Sequence, residues 1–227
     1  GTLECAYHGW RYDRCGRVAE VPALPEPAAR NCVHAIRSYP TLEQQGFVWV
    51  ALDDPAPLLA PLEFPNFGAP GWTHFTMKTL FRAPIDACLE NFLDLPHATF
   101  VHRYWFRAPT ARHVKAKIRT LADGAEAEFF EEPRERSLVW WLLSPRRGAM
   151  RHTDRFIAPR TSRVDYAFEG GLHYVITSSC SSIEPSLTQV YTVISFRYPM
   201  LGWLVRLFFE PLARRIIRQD VDILGAQ

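Results

Sequence analysis

Seven β-prone stretches follow one another through the second half of this chain, at residues 113–120, 126–132, 138–143, 150–157, 163–168, 172–180 and 189–198. Gly, Pro, Ser or charged residues separate them, and most of the gaps are only a few residues long. A parallel crossover needs a dozen or more residues, so consecutive strands joined this closely run antiparallel, as a meander. Residues 113–120 alternate, with Val114, Ala116 and Ile118 on one face. An antiparallel sheet with one apolar face has to be covered. Helical signals occur at residues 85–95, where Pro84 precedes the segment and Asp86 is placed to cap it, and at residues 201–227. The expectation is an α+β fold.

The chain has 227 residues, and 48% are apolar, enough for a sizeable core and against disorder. Residues 1–53 read as short strands and turns, with a hairpin turn at Asp13-Arg14-Cys15-Gly16 and a buried strand at 46–52. Residues 54–71 are proline-rich and read as a linker, and residues 72–227 as a second domain. Opposite charges nearly balance, at 26 basic and 24 acidic residues, so neither nucleic acid nor a strongly acidic partner is expected. No apolar run reaches the roughly 18 residues of a membrane span. Five cysteines, unevenly spaced at 5, 15, 32, 88 and 180, fit a reducing compartment, taken as cytoplasmic, with thiols or metal ligands and no disulfide frame. Cys88 reads as a core thiol. His173 lies on a strand with one face open to a cavity and is a candidate substrate contact.

The chemistry concentrates in residues 90–102, ENFLDLPHATFVH, where His97 and His102 stand five residues apart in an apolar segment. Two imidazoles and a carboxylate can hold one face of an iron(II) octahedron and leave the other face open. A regular helix aligns ligands at i and i+4, so the spacing calls for an irregular helix, with Pro96 as the cause. Asp94 is placed to accept a hydrogen bond from the second ring nitrogen of His97. The third ligand is Asp220 or Asp222. Ile216, Asp220, Ile223, Leu224 and Gln227 fall on one helical face, which turns Asp220 inward, whereas Asp222 shares a solvent face with Arg218. A buried carboxylate requires a cation, which selects Asp220.

Near the start, Cys5-Ala6-Tyr7-His8-Gly9-Trp10 is a C-x-x-H pair in a β-rich segment, and a Rieske [2Fe–2S] cluster takes two Cys and two His. C-x-x-H-G-W followed by Tyr12-Asp13 and a glycine turn resembles the second half of the Rieske motif of ring-hydroxylating oxygenases. Asn91, Asp94, His97 and His102 resemble that family's mononuclear iron motif, and residues 219–224 resemble the segment carrying its carboxylate ligand. The wording around Asp94 is similar to the branch that carries out monooxygenation or O-demethylation.

The resemblance implies a partial Rieske β-domain followed by a helix-grip catalytic domain. It implies Cys5 and His8 as cluster ligands and His97, His102 and Asp220 as ligands of mononuclear Fe(II). Asp94 would bridge electron transfer from a neighbouring subunit's cluster, with Asn91 close to the metal. It further implies a homotrimer, a reductase or ferredoxin as electron donor, and dioxygen acting on an apolar, aromatic or polycyclic substrate. The first C-x-H pair of the motif is not in this sequence, so an N-terminal truncation is expected. Two rival readings share these residues: a metal-free helix-grip carrier of apolar ligands, and a zinc hydrolase using the same three side chains.

Overall fold

The computed structural model describes residues 1–25, 34–52, 60–102, 114–130, 149–198 and 202–227. The chain forms two compact units, Gly1–Glu63 and Phe64–Gln227.

In the first unit, β1 (Leu3–Glu4), β2 (Arg11–Tyr12) and β3 (Val18–Glu20) form an antiparallel sheet in sequence order. The turn after β2 is built as its residues predict: Asp13 Oδ1 accepts from the amides of Cys15 and Arg17 at 2.8 and 2.9 Å. Gly16 there has φ 77°, and a Cβ would meet the Ile36 carbonyl at 2.1 Å, so only glycine fits. β4 (Thr41–Gln44) and β5 (Phe47–Val50) form a separate hairpin. β5 was expected to be buried. It alternates instead between half-buried and exposed residues, with Val48 and Val50 open, because a two-stranded ribbon covers only one of its faces.

The second unit is the α+β domain. Among the described residues, seven strands make one antiparallel sheet: β6 (Thr73–Phe81), β7 (Lys115–Leu121), β8 (Gly124–Phe130), β9 (Met150–Ile157), β10 (Thr161–Phe168), β11 (His173–Glu184) and β12 (Leu187–Arg197). Their order is β6-β12-β11-β10-β9-β8-β7, so β7 to β12 form the expected meander, and the unforeseen β6 joins its far edge. The stretch expected as a strand at 138–143 lies outside the described residues. Val114, Ala116 and Ile118 do not form a buried face: β7 is the outer strand, and Ile118 is exposed.

The helices are α1 (Ile85–Leu93), α2 (His97–Phe100) and α3 (Gly202–Leu224). Pro84 occupies the N-cap position of α1 with no side-chain cap bond; Asp86 sits instead in the first turn, where its charge meets the positive end of the helix. Thr188 Oγ1 donates to the Ala83 carbonyl at 2.8 Å, which ties the start of α1 to β12. The buried stripe of α3 is Phe209, Ala213, Asp220 and Leu224. Ile223 and Gln227, expected on that face, are exposed.

Two apolar clusters bind helices to sheet. In one, Phe209 of α3 stands edge-on to Phe75, Tyr174 and Phe196, with ring centres 5.7, 5.8 and 5.7 Å away. In the other, Cys88 and Leu89 of α1 and Leu224 of α3 pack on Phe81, Cys180 and Val190. Burial pushes the thiols up, Cys88 to about 11 and Cys180 to about 12, so both are inert core groups. Phe196 is 0% exposed and touches three aromatic partners. Phe196→Ala is therefore expected to cost about 3–5 kcal/mol in equilibrium urea unfolding; a loss under about 1 kcal/mol would contradict this packing.

Candidate metal centre

α1 stops at Leu93 because Asp94 is extended (φ −83°, ψ 95°) just ahead of Leu95-Pro96, where the proline disfavours helical backbone before it. Pro96 then starts the one-turn helix α2, with His97 as its first residue and His102 just past its end. The five-residue spacing thus spans the short helix α2: His97 opens it and His102 lies beyond its C-cap Val101, so the two imidazoles are not carried on one regular helical face. The two imidazoles meet edge to face, with ring centres 5.1 Å apart. α3 brings Asp220 to the same point: its Oδ1 is 3.1 Å from His102 Nε2 and 3.6 Å from His97 Nε2. One ligand atom from each of the three residues lies within 4.8 Å of the others. Neighbouring positions of an octahedron with bonds of about 2.1 Å are about 3 Å apart, so small rotations complete a metal site.

The second nitrogens are also arranged for ligation. His97 Nδ1 donates to the backbone carbonyl of Asp94, and His102 Nδ1 donates to Gln219 Oε1 at 2.9 Å. Both acceptors fix the proton on Nδ1 and leave the Nε2 lone pair for a metal. The Asp94 acceptor is its carbonyl, not the carboxylate expected from the sequence, because residue 94 is extended and its side chain is exposed. Gln219 escaped the sequence reading; its signal was adjacency to Asp220 on a helix.

Asp220 is 4% exposed, and its Oδ1 has no aligned hydrogen-bond donor despite the nearby imidazoles. Burial pushes its carboxyl up, but the two histidines outweigh burial and hold it below the usual range. Burial pushes His97 down, but Asp220 and the Asp94 carbonyl outweigh burial and raise it. An orphaned anionic oxygen between two tautomer-fixed imidazoles fits a divalent cation. Gln219→Leu is expected to weaken Fe(II) binding about 10–100-fold, with Gln219→Glu restoring it, while unfolding is unchanged. Equal affinity in a competitive chelator titration would remove this positioning role.

The centre opens onto a cavity of about 170 Å³ inside the second unit. Its sheet side is mainly apolar, with Val164, Tyr166, Tyr174, Ile176 and Ile194 facing inward at alternate positions. Asn91 also lines it, with Nδ2 buried and unpartnered. His173 does not reach the cavity. It projects from the opposite face of β11, bonded to Asp165 Oδ1 at 2.5 Å and beside Trp72. In the other unit, Cys5 and His8 are both exposed on the loop between β1 and β2. Cys5 N–H donates to the Trp10 carbonyl at 2.8 Å, and Gly9 N–H donates to the Cys5 carbonyl at 2.9 Å. This closed loop offers a free thiol and an imidazole, half of a Rieske ligand set.

An antiparallel helix-grip sheet carrying a two-histidine, one-carboxylate centre defines a class, and comparison with known proteins agrees with it. Residues 1–40 match the Rieske [2Fe-2S] domain family. The chain is 27% identical over its whole length to protein TIC 55, chloroplastic, of Arabidopsis thaliana, and covers 42% of that protein. It is 33% identical over 46% of its length to the 4beta-methylsterol monooxygenase of Methylococcus capsulatus, covering 29% of it. Dicamba monooxygenase, solved with dicamba bound, has the same fold over the whole chain, with TM-score 0.82 and 18% identity, and 69% of that structure is covered. The chain is similar to Rieske-type non-haem iron oxygenases and spans less than half the length of both of these relatives, TIC 55 and the methylsterol monooxygenase. This kinship supports the cofactors expected from the motifs, a [2Fe–2S] cluster and a mononuclear iron. Among the described residues, no helix is long and apolar enough to cross a membrane.

Proposed function

We propose that this chain is the catalytic part of an oxygenase component that hydroxylates or O-demethylates an apolar, aromatic or polycyclic substrate. The observation that carries the reading is the convergence of His97, His102 and Asp220 on one point in the wall of an apolar cavity. Iron(II) held there would supply the reductive activation of dioxygen, with a [2Fe–2S] cluster as its source of electrons.

The chain's own residues do the rest. His97 and His102 present their Nε2 atoms and Asp220 a carboxylate oxygen, the three donors that would hold iron(II). The Asp94 carbonyl and Gln219 hold the rings in place. The apolar wall excludes water and orients the substrate by shape. Asn91 offers an unpaired amide N–H beside the centre. Asp94 turns its carboxylate outward next to His97 and serves as the link from the cluster of a neighbouring subunit. Cys5 and His8 hold one side of such a cluster. The electron donor is a reductase or ferredoxin, the assembly a homotrimer and the compartment cytoplasmic.

The test is metal analysis of the holoenzyme together with turnover under isotopically labelled dioxygen. Iron, with one labelled oxygen in the product or in the released fragment, supports the reading. Zinc with oxygen-independent hydrolysis would replace it with a hydrolase, and a protein that takes up no metal would replace it with a carrier.

A further inference from the structure

Three hydroxyl groups interrupt the apolar wall of the cavity. Ser162 of β10, Ser178 of β11 and Thr192 of β12 stand side by side across the sheet, since Ser162 pairs with Ser178 and Ser178 with Thr192. All three line the cavity. They are 2%, 4% and 2% exposed, so whatever satisfies them has to come from the protein or from a molecule in the cavity. The next residues along the same face, Val164, Ile176 and Ile194, are aliphatic.

The row is not self-satisfied. Ser178 Oγ and Thr192 Oγ1 share one hydrogen bond at 2.9 Å, which uses one of their two O–H donors. Ser162 Oγ makes no side-chain hydrogen bond among the described residues. Two donors therefore remain in the row, one on Ser162 and one on Ser178 or Thr192, and both face the same cavity. Leaving buried hydroxyls unpaired is costly, and an apolar residue of similar size would avoid that cost at each position. Among the described lining residues there is no lysine or arginine, and the charged group of the cavity wall is the carboxylate of Asp220. A carboxylate ligand would lose its hydration there with no counter-charge beside the hydroxyls.

We propose that Ser162, Ser178 and Thr192 form the orienting subsite for the substrate, and that they select an uncharged molecule carrying a hydroxyl, carbonyl or ether oxygen on an apolar frame. This rests on the oxygenase reading only in treating the cavity beside the metal centre as the substrate site. The apolar frame fills the aliphatic and aromatic wall, while the oxygen takes the two spare O–H groups and fixes which carbon faces the centre.

Three probes with one ring system separate the outcomes: naphthalene, 2-naphthol and 2-naphthoate, titrated into the metal-free 227-residue chain and followed by probe fluorescence. The ratio of 2-naphthol to naphthalene affinity is expected to fall about fivefold or more in the variant combining Ser162→Ala and Thr192→Val, with naphthalene binding unchanged. 2-Naphthoate is expected to bind weakest. If the double variant melts early, Ser162→Ala alone carries the comparison. An unchanged ratio, tightest binding of 2-naphthoate, or no binding of any probe would overturn the proposal. Because iron and dioxygen are absent, failure of iron uptake or of turnover would sink the oxygenase reading without altering this result.

Discussion

Asp220→Ala is expected to abolish tight Fe(II) binding while leaving the fold intact. The carboxylate is the only anionic group of the triad and is buried, so it carries the charge complementarity of the site. Loss of a partner that merely orients a ligand costs about 10–100-fold in metal affinity, and loss of the ligand itself should exceed about 100-fold. The metal-free protein should still fold, because both imidazoles keep their Nδ1 partners, the Asp94 carbonyl and Gln219, when the carboxylate is removed. Iron per chain after anaerobic loading and gel filtration, read beside a thermal melt, separates the two effects. Full iron content in the variant would remove Asp220 from the ligand set, and a lost fold would mean that its role is structural.

Asp94→Asn is expected to leave iron bound but to slow turnover by at least about tenfold. The substitution keeps the backbone carbonyl that holds His97 Nδ1, so ligand geometry survives. It removes only the exposed carboxylate, the group proposed above as the link to a neighbouring subunit's cluster. A bridging hydrogen bond to an ionised group is worth about 1.5–3 kcal/mol, or roughly 10–100-fold in rate. Single-turnover and steady-state rates should also diverge: iron reduced in advance reacts normally once, whereas repeated turnover is slow. Unimpaired steady-state turnover would refute the bridging role, and lost iron would show that the carboxylate supports the site itself.

Much of this architecture was legible because the sheet is local. β7 to β12 pair with sequence neighbours, and their boundaries follow period-two alternation and Gly, Pro or Ser breaks. β6 was missed although Phe75, Met77 and Phe81 alternate inward, because its partner β12 is more than a hundred residues away and no turn marks the pair. Asp220 was legible because helical period places it with Leu224, four residues on, in the buried stripe. The stripe was misjudged at Ile223, which is exposed beside the buried Leu224, and at Gln227, which lies beyond the end of α3. Gln219 was illegible because its role depends on His102, far away in sequence. The Asp94 carbonyl was illegible for another reason: side-chain chemistry says nothing of which way an extended residue turns its backbone. His173 shows the limit of a strand assignment, because one residue of register decides between cavity and outer face.

The most direct measurement is anomalous diffraction at the iron absorption edge from crystals loaded anaerobically with Fe(II). A single strong peak is expected within about 2.3 Å of His97 Nε2, His102 Nε2 and an Asp220 carboxylate oxygen, with open positions toward the cavity. Iron bound elsewhere, or these three side chains turned to separate places in loaded crystals, would contradict the account.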